Sequence, residues 1–139
     1  MSPQQPILAL DAYGTLFNLR SVNRVLEPML GERTGAFERI WREKQVEFSF
    51  RRGLMRDYAP FSVCIADAFD YSAFRMDWQP KTEERAAALE AYRALDLYPD
   101  VLEGLERARQ SGFRLWVLSN GHPEDLSALI ARSGITDHL

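Results

Sequence analysis

Apolar and polar positions follow two different patterns along this chain. Near the start, Ile7, Leu8, Ala9 and Leu10 form an unbroken apolar run that ends on Asp11. A short continuous run predicts a strand buried on both faces, as in a parallel sheet covered by helices. Gly14 and Thr15 break the run. Beyond Phe17 the spacing becomes helical and stays so. Val22, Val25, Leu26, Met29 and Leu30 form one stripe, and Pro28 inside it predicts a kink or an end near Glu27. Phe37, Ile40, Trp41 and Phe48 mark a second helix from about Gly35 to Gly53. Phe61, Ile65 and Phe69, with Cys64 and Ala68 beside them, mark a third that starts at Pro60. Thr82 is a good N-cap for a fourth, with Glu83 and Glu84 in the first turn, and this helix ends around Leu95.

From Pro99 the first pattern returns. Pro99 and Asp100 open a helix with Val101, Leu102, Leu105 and Ala108 on one face, and Gly112 closes it. Phe113 to Leu118 predicts a second strand that runs straight into Ser119-Asn120-Gly121. Pro123, Glu124 and Asp125 start a last helix that Gly134 ends, and Ile135 to Leu139 leave no room for another element. The expected fold class is α/β: a core from residues 1–17 and 96–139, with a four-helix unit, residues 18–95, inserted into it. Paired in parallel through a right-handed crossover, the two strands put Asp11 beside Ser119 and Asn120 on one rim of the sheet. Chemistry in open α/β sheets sits at such a rim, just past the carboxyl ends of the strands.

Each candidate also has a plain structural reading. Asp11 either works in a cleft or caps the turn at Ala12, Tyr13 and Gly14. Ser119-Asn120-Gly121 is either turn chemistry or an anion site at a helix start. Arg42, Gln45 and Ser49, spaced i, i+3 and i+7, are either functional or one solvated helix face. Tyr13 and Phe61 fit a core or a cleft wall, and Cys64 fits packing. Glu47, Asp67, Glu124 and Asp125 read as surface or cap carboxylates. His122 and His138 have no partner at metal-ligand spacing, so no metal site is expected.

Composition narrows the classes. The 139 residues are 46% hydrophobic and 12% aromatic, enough for one globular domain or a small one with an insertion. A net charge of −3 argues against a nucleic-acid partner. No apolar run approaches a membrane span, and no basic-then-apolar leader opens the chain. The one cysteine, Cys64, cannot make an internal disulfide, which points to a reducing, cytoplasmic setting.

Asp11-Ala12-Tyr13-Gly14-Thr15-Leu16-Phe17, followed over a hundred residues later by Leu118-Ser119-Asn120-Gly121, resembles the haloacid dehalogenase superfamily. Trp41 to Phe48 and Tyr58-Ala59-Pro60-Phe61 resemble the cap of its L-2-haloacid dehalogenase branch. The resemblance implies a Rossmann-like core with an inserted helical cap, acting on a small 2-haloacid without cofactor or metal. It implies Asp11 as nucleophile, Thr15 as its hydrogen-bond neighbour, and Arg42 holding substrate and departing halide. It implies Ser119 at the substrate carboxylate, Asn120 at the halide, and Tyr13, Val46 and Phe61 as pocket walls. Phosphatase members carry a second Asp where Tyr13 stands, and a tyrosine with an ordinary pKa of about 10 makes no proton shuttle at neutral pH. A small-molecule phosphatase is therefore the weaker alternative within enzymes. Glu43 departs from the glutamine usual in close relatives. The family also uses a later lysine and later acidic residues, whereas the lysines here are Lys44 and Lys81, neither at that position. Two strands alone rarely hold a sheet in water, and bare edges recruit other chains. A fragment of a longer protein, a homo-oligomer, or a catalytically incomplete, self-associating remnant are the expectations that follow.

Overall fold

In a computed structural model, which describes residues 5–139, two strands carry the rim. Strand β1 (Ile7–Leu10) and the strand Arg114–Val117, β4 in chain order, pair in parallel, Ile7 opposite Arg114 and Leu10 opposite Val117. Between them lie β2 (Phe17–Asn18), α1 (Asn23–Leu30), α2 (Thr34–Met55), α3 (Phe61–Arg75), α4 (Thr82–Ala91), β3 (Asp96–Leu97) and α5 (Val101–Gln110). Helix α6 (Pro123–Ser133) follows β4.

The sheet is covered on one face, not on two as the apolar run of β1 suggests. Leu8, Leu10, Leu115 and Val117 share the inward face and join the core, whereas Ile7 is 52% and Trp116 54% exposed on the other. In a pleated strand, alternate residues belong to opposite faces, so one covered face leaves every second residue outside.

Helix α1 passes through Pro28 and ends at Gly31, where φ is +55°, instead of stopping near Glu27. Leu26 and Leu30 are both buried one turn apart, and that packing outweighs the hydrogen bond that proline removes. Helix α2 runs past Gly53 to Met55 and is capped by Arg56 in the left-handed region. Pro60 does precede α3. Thr82 is the first residue inside α4, not its cap: the cap is Lys81, whose backbone N–H donates to the Glu84 carboxylate at 2.8 Å. That helix stops at Ala91, four residues early, and Tyr92 and Leu95 are buried in the stretch leading to β3. The tail makes a 3-10 turn at Thr136–His138 behind fully buried Ile135, where no element was expected.

Strands β2 and β3 form an antiparallel ladder, Phe17 opposite Leu97 and Asn18 opposite Asp96, that had no sequence signal. It ties together the chain entering the helical unit and the chain leaving it. Inside that unit α2 packs along α3 around an aromatic cluster. Trp41 meets Phe69 edge-on at 5.2 Å and Tyr92 at 4.7 Å, and Phe37 meets Phe69 and Trp78, both at 5.2 Å. The Trp41 indole N–H donates to the Ile65 carbonyl at 2.8 Å, which satisfies the polar atom of the largest fully buried side chain. These contacts make α2 a rigid support for what it holds over the rim of β1.

Candidate active site

Directly after β1, the chain turns back tightly. The Ala12 carbonyl accepts from the backbone N–H groups of Leu16 (3.0 Å) and Phe17 (2.9 Å), and Gly14 takes φ +93°. A positive φ suits glycine, and a Cβ at Gly14 would also lie 4.0 Å from the Arg42 guanidinium. The turn brings the Thr15 hydroxyl to the Asp11 carboxylate, donating to Oδ2 at 3.3 Å.

From the helical side, α2 delivers Arg42. Its Nη2 donates to the Tyr13 carbonyl at 3.4 Å, and its Nη1 is buried without a partner. Arg42 is half-buried and Gln45 fully buried, so this stripe is not the solvated face that was the alternative. After β4, the Ser119 hydroxyl oxygen accepts from the Gly121 N–H at 3.1 Å, and His122 Nδ1 accepts from the Glu124 N–H at the head of α6. Tyr13 lies against Phe61 of α3, ring centroids 5.7 Å apart.

These elements enclose a cavity of about 70 Å³ lined by Asp11, Tyr13, Arg42, Val46, Ser49, Phe50, Phe61, Ser119 and Asn120. Seven of the eight residues singled out from the sequence line it. The eighth, Thr15, stands beside the Asp11 carboxylate. Asp11 lines this cavity while remaining exposed at its mouth, as does Asn120, and Ser119 is half-buried. Among the described residues β1 pairs with β4 on one side, and the walls around the carboxylate at its tip come from the helical unit and the β4 turn. A wider groove of about 620 Å³ continues from the cavity past Ser49, Phe50, Leu54, Tyr58 and Gly121.

The electrostatics are asymmetric. Arg42 and the Asp11 carboxylate line the same cavity, whose remaining walls mix polar Ser49, Ser119 and Asn120 with apolar Val46, Phe50 and Phe61. Burial, reinforced by the nearby Asp125 carboxylate, pushes the Tyr13 hydroxyl up to about 12, so it stays neutral. Asp125, read from the sequence as a cap carboxylate, lies 3.4 Å from Arg93 and so links α6 to the end of the helical unit. Glu47 and Asp67 are surface carboxylates held by Lys44 and Arg51 and by Arg52, respectively. Among the described residues, no three His, Cys, Asp or Glu side chains are grouped to hold a metal ion. No helix is long and apolar enough to cross a membrane.

Ser49 and Phe50 were missed as lining residues. The signal for Ser49 was present in the i, i+3, i+7 stripe it shares with Arg42 and Gln45. Gly121 was missed too. A Cβ there would meet Tyr13 Cε2 at 2.7 Å and Ser119 Oγ at 3.3 Å, and no local pattern announces a contact with a ring more than a hundred residues away.

This architecture has relatives. Over 130 residues the chain is 36% identical to an (S)-2-haloacid dehalogenase of Xanthobacter autotrophicus, covering 94% of this chain and 51% of the relative. It is 29% identical to an (S)-2-haloacid dehalogenase of Pseudomonas sp. strain YL, covering 94% and 56%. It superposes on the structure of L-2-haloacid dehalogenase from Xanthobacter autotrophicus with a TM-score of 0.86 at 35% identity, over 97% of this chain and 54% of that one. It superposes equally well, at 33% identity, on that enzyme with chloropropionic acid covalently bound. The chain thus spans about half the length of the curated relatives it matches. A sequence model of haloacid dehalogenase-like hydrolases matches residues 6–139, and the chain belongs to that family.

Proposed function

We propose that the chain carries the nucleophile and halide side of a hydrolase that releases halide from a short 2-haloacid. The observation that supports this most is the convergence of Asp11, Arg42, Ser119 and Asn120 on one small cavity with Tyr13, Val46 and Phe61 as its walls. In this reading residues 1–17 and 96–139 form the α/β core and residues 18–95 the cap.

The Asp11 carboxylate oxygen attacks C2 of the haloacid from the side opposite the carbon–halogen bond. A C–O bond forms as the C–halogen bond breaks, and the halide leaves with the bonding electrons. The product is an ester of Asp11 with C2 inverted. Arg42 and Asn120 stabilise the charge growing on the halide, where electrostatic stabilisation counts most. Ser119 and the N–H groups at the start of α6 hold the substrate carboxylate. The Thr15 hydroxyl, bonded to one Asp11 oxygen, keeps the other free to attack. Water then adds to the ester carbonyl, which frees the 2-hydroxy acid and restores the carboxylate. None of these steps uses a metal or a cofactor. A neutral Tyr13, placed where a phosphatase needs an acid, is what disfavours phosphoryl transfer.

The test is halide release from L-2-chloropropionate at neutral pH. Release that Asp11→Asn abolishes supports the reading. Release that survives the substitution, or magnesium-dependent phosphate release in its place, contradicts it.

A second reading has its own support. Among the described residues β1 and β4 each pair on one side, and the face outside them carries Ile7 and Trp116, both more than half exposed. Unpaired edges with apolar neighbours favour association between copies. In that reading the chain is a self-associating, catalytically incomplete member of the family. Cys64, a buried free thiol, fits a reducing cytoplasmic setting in either case.

A further inference from the structure

We infer that Gln45, held by the hydroxyl of Tyr92, is the residue that positions the Arg42 guanidinium over the cavity. The role assigned to Arg42 rests on the haloacid reading; the positioning itself is a property of the folded chain.

Gln45 is a primary amide with no solvent exposure at all, on a helix whose other buried side chains include Phe37 and Trp41. A buried amide is tolerated where its donors and acceptor find partners. One half has its partner: Nε2 donates to the Tyr92 hydroxyl oxygen at 2.7 Å. The other half, Oε1, is buried without one. Arg42 shows the complementary deficit, since Nη1 is a buried donor without an acceptor. The two residues stand three apart on α2, the spacing at which side chains on one helix face meet. An orphan acceptor and an orphan donor in that relation are natural partners for each other, and the Arg42 charge is near enough to act on the Tyr92 hydroxyl that holds Gln45. The planar guanidinium is then fixed at Nη1 by Gln45 and at Nη2 by the Tyr13 carbonyl, with its charge directed at the cavity.

Tyr92 makes this a firm mount. It is 5% exposed and its ring packs against Trp41, the neighbour of Arg42 in sequence. Burial keeps its hydroxyl neutral. Both supports are therefore uncharged, so the whole positive charge of Arg42 is left for an anion. A carboxylate at position 45 would cancel it.

The readout is the rotation of the Arg42 guanidinium, followed by nitrogen-15 NMR on the full chain without any ligand. Hindered rotation with separate Nη signals is expected for the unmodified protein. In Gln45→Met, which keeps the volume, rotation becomes about tenfold faster, the effect of losing one hydrogen bond to a charged group. Tyr92→Phe keeps the ring packing and frees the amide, and it shifts rotation the same way even where Gln45→Met fails to fold. Unchanged rotation in the variants that fold overturns the inference. A parallel titration with 2-chloropropionate in an Asp11→Asn background tests the haloacid reading separately. If that anion does not bind while rotation still responds to Gln45→Met, the haloacid reading falls and the positioning stands.

Discussion

The Tyr13 ring lies over Gly121 and packs against Phe61, and its backbone carbonyl accepts from Arg42, so one residue shapes the cavity through both side chain and main chain. A Cβ at position 121 would lie 2.7 Å from the Tyr13 ring, which is itself buried and packed on Phe61, so Gly121→Ala is an overpacking change. A loss of about 1–3 kcal/mol is expected in urea unfolding. In a Tyr13→Leu background the same change costs far less, because the ring that it strikes is gone. The tyrosines also set a pH dependence. In the unfolded chain both titrate near the ordinary value of about 10. In the folded chain Tyr13 and Tyr92 are pushed up to about 12, so the native state holds their protons longer. Stability from this source is complete below pH 10 and is lost as pH rises toward 12, on the order of 2 kcal/mol per residue. Tyr13→Phe flattens that part of the curve in thermal unfolding between pH 9 and 12; a slope unchanged by the substitution would contradict the assignment.

Among the elements, the long helix α2 does most to join fold and site. Trp41 faces the aromatic cluster, while Arg42 and Gln45, next along the helix, face the cavity and its support. Trp41→Ala should cost about 3–5 kcal/mol in unfolding free energy. It should also loosen Tyr92, whose ring it supports. Helix α2 and the pair β1 and β4 were legible in the sequence because their periodicity is strong and their ends carry glycine or polar residues. Asp11, Ser119 and Asn120 were legible as polar residues at strand ends, whereas Arg42 was singled out only by the family resemblance, because its stripe reads equally well as a solvated helix face. What was not legible depends on tertiary contacts. Pro28 stays inside α1 because Leu26 and Leu30 pack. The β2–β3 ladder is only two residues long on each side. The full burial of Gln45 follows from Tyr92, which lies 47 residues away.

At the scale of the whole molecule, a helical unit bound to an α/β rim by a short ladder and by the Arg93–Asp125 pair brings Arg42 to the same cavity as Asp11. The outer face of the sheet gives a prediction of its own. If Ile7 and Trp116 mediate association, light scattering at micromolar concentration should find dimers or larger species, and Trp116→Glu should return monomers; a stable monomer before the substitution would contradict it. Whether Asp11 becomes esterified is decided by mass spectrometry of the chain acid-quenched during reaction with L-2-chloropropionate. The expected result is a gain of one 2-propionate group, mapped by peptide fragmentation to Asp11 and absent from Asp11→Asn. A label on any other residue, or no label while halide is released, would contradict it.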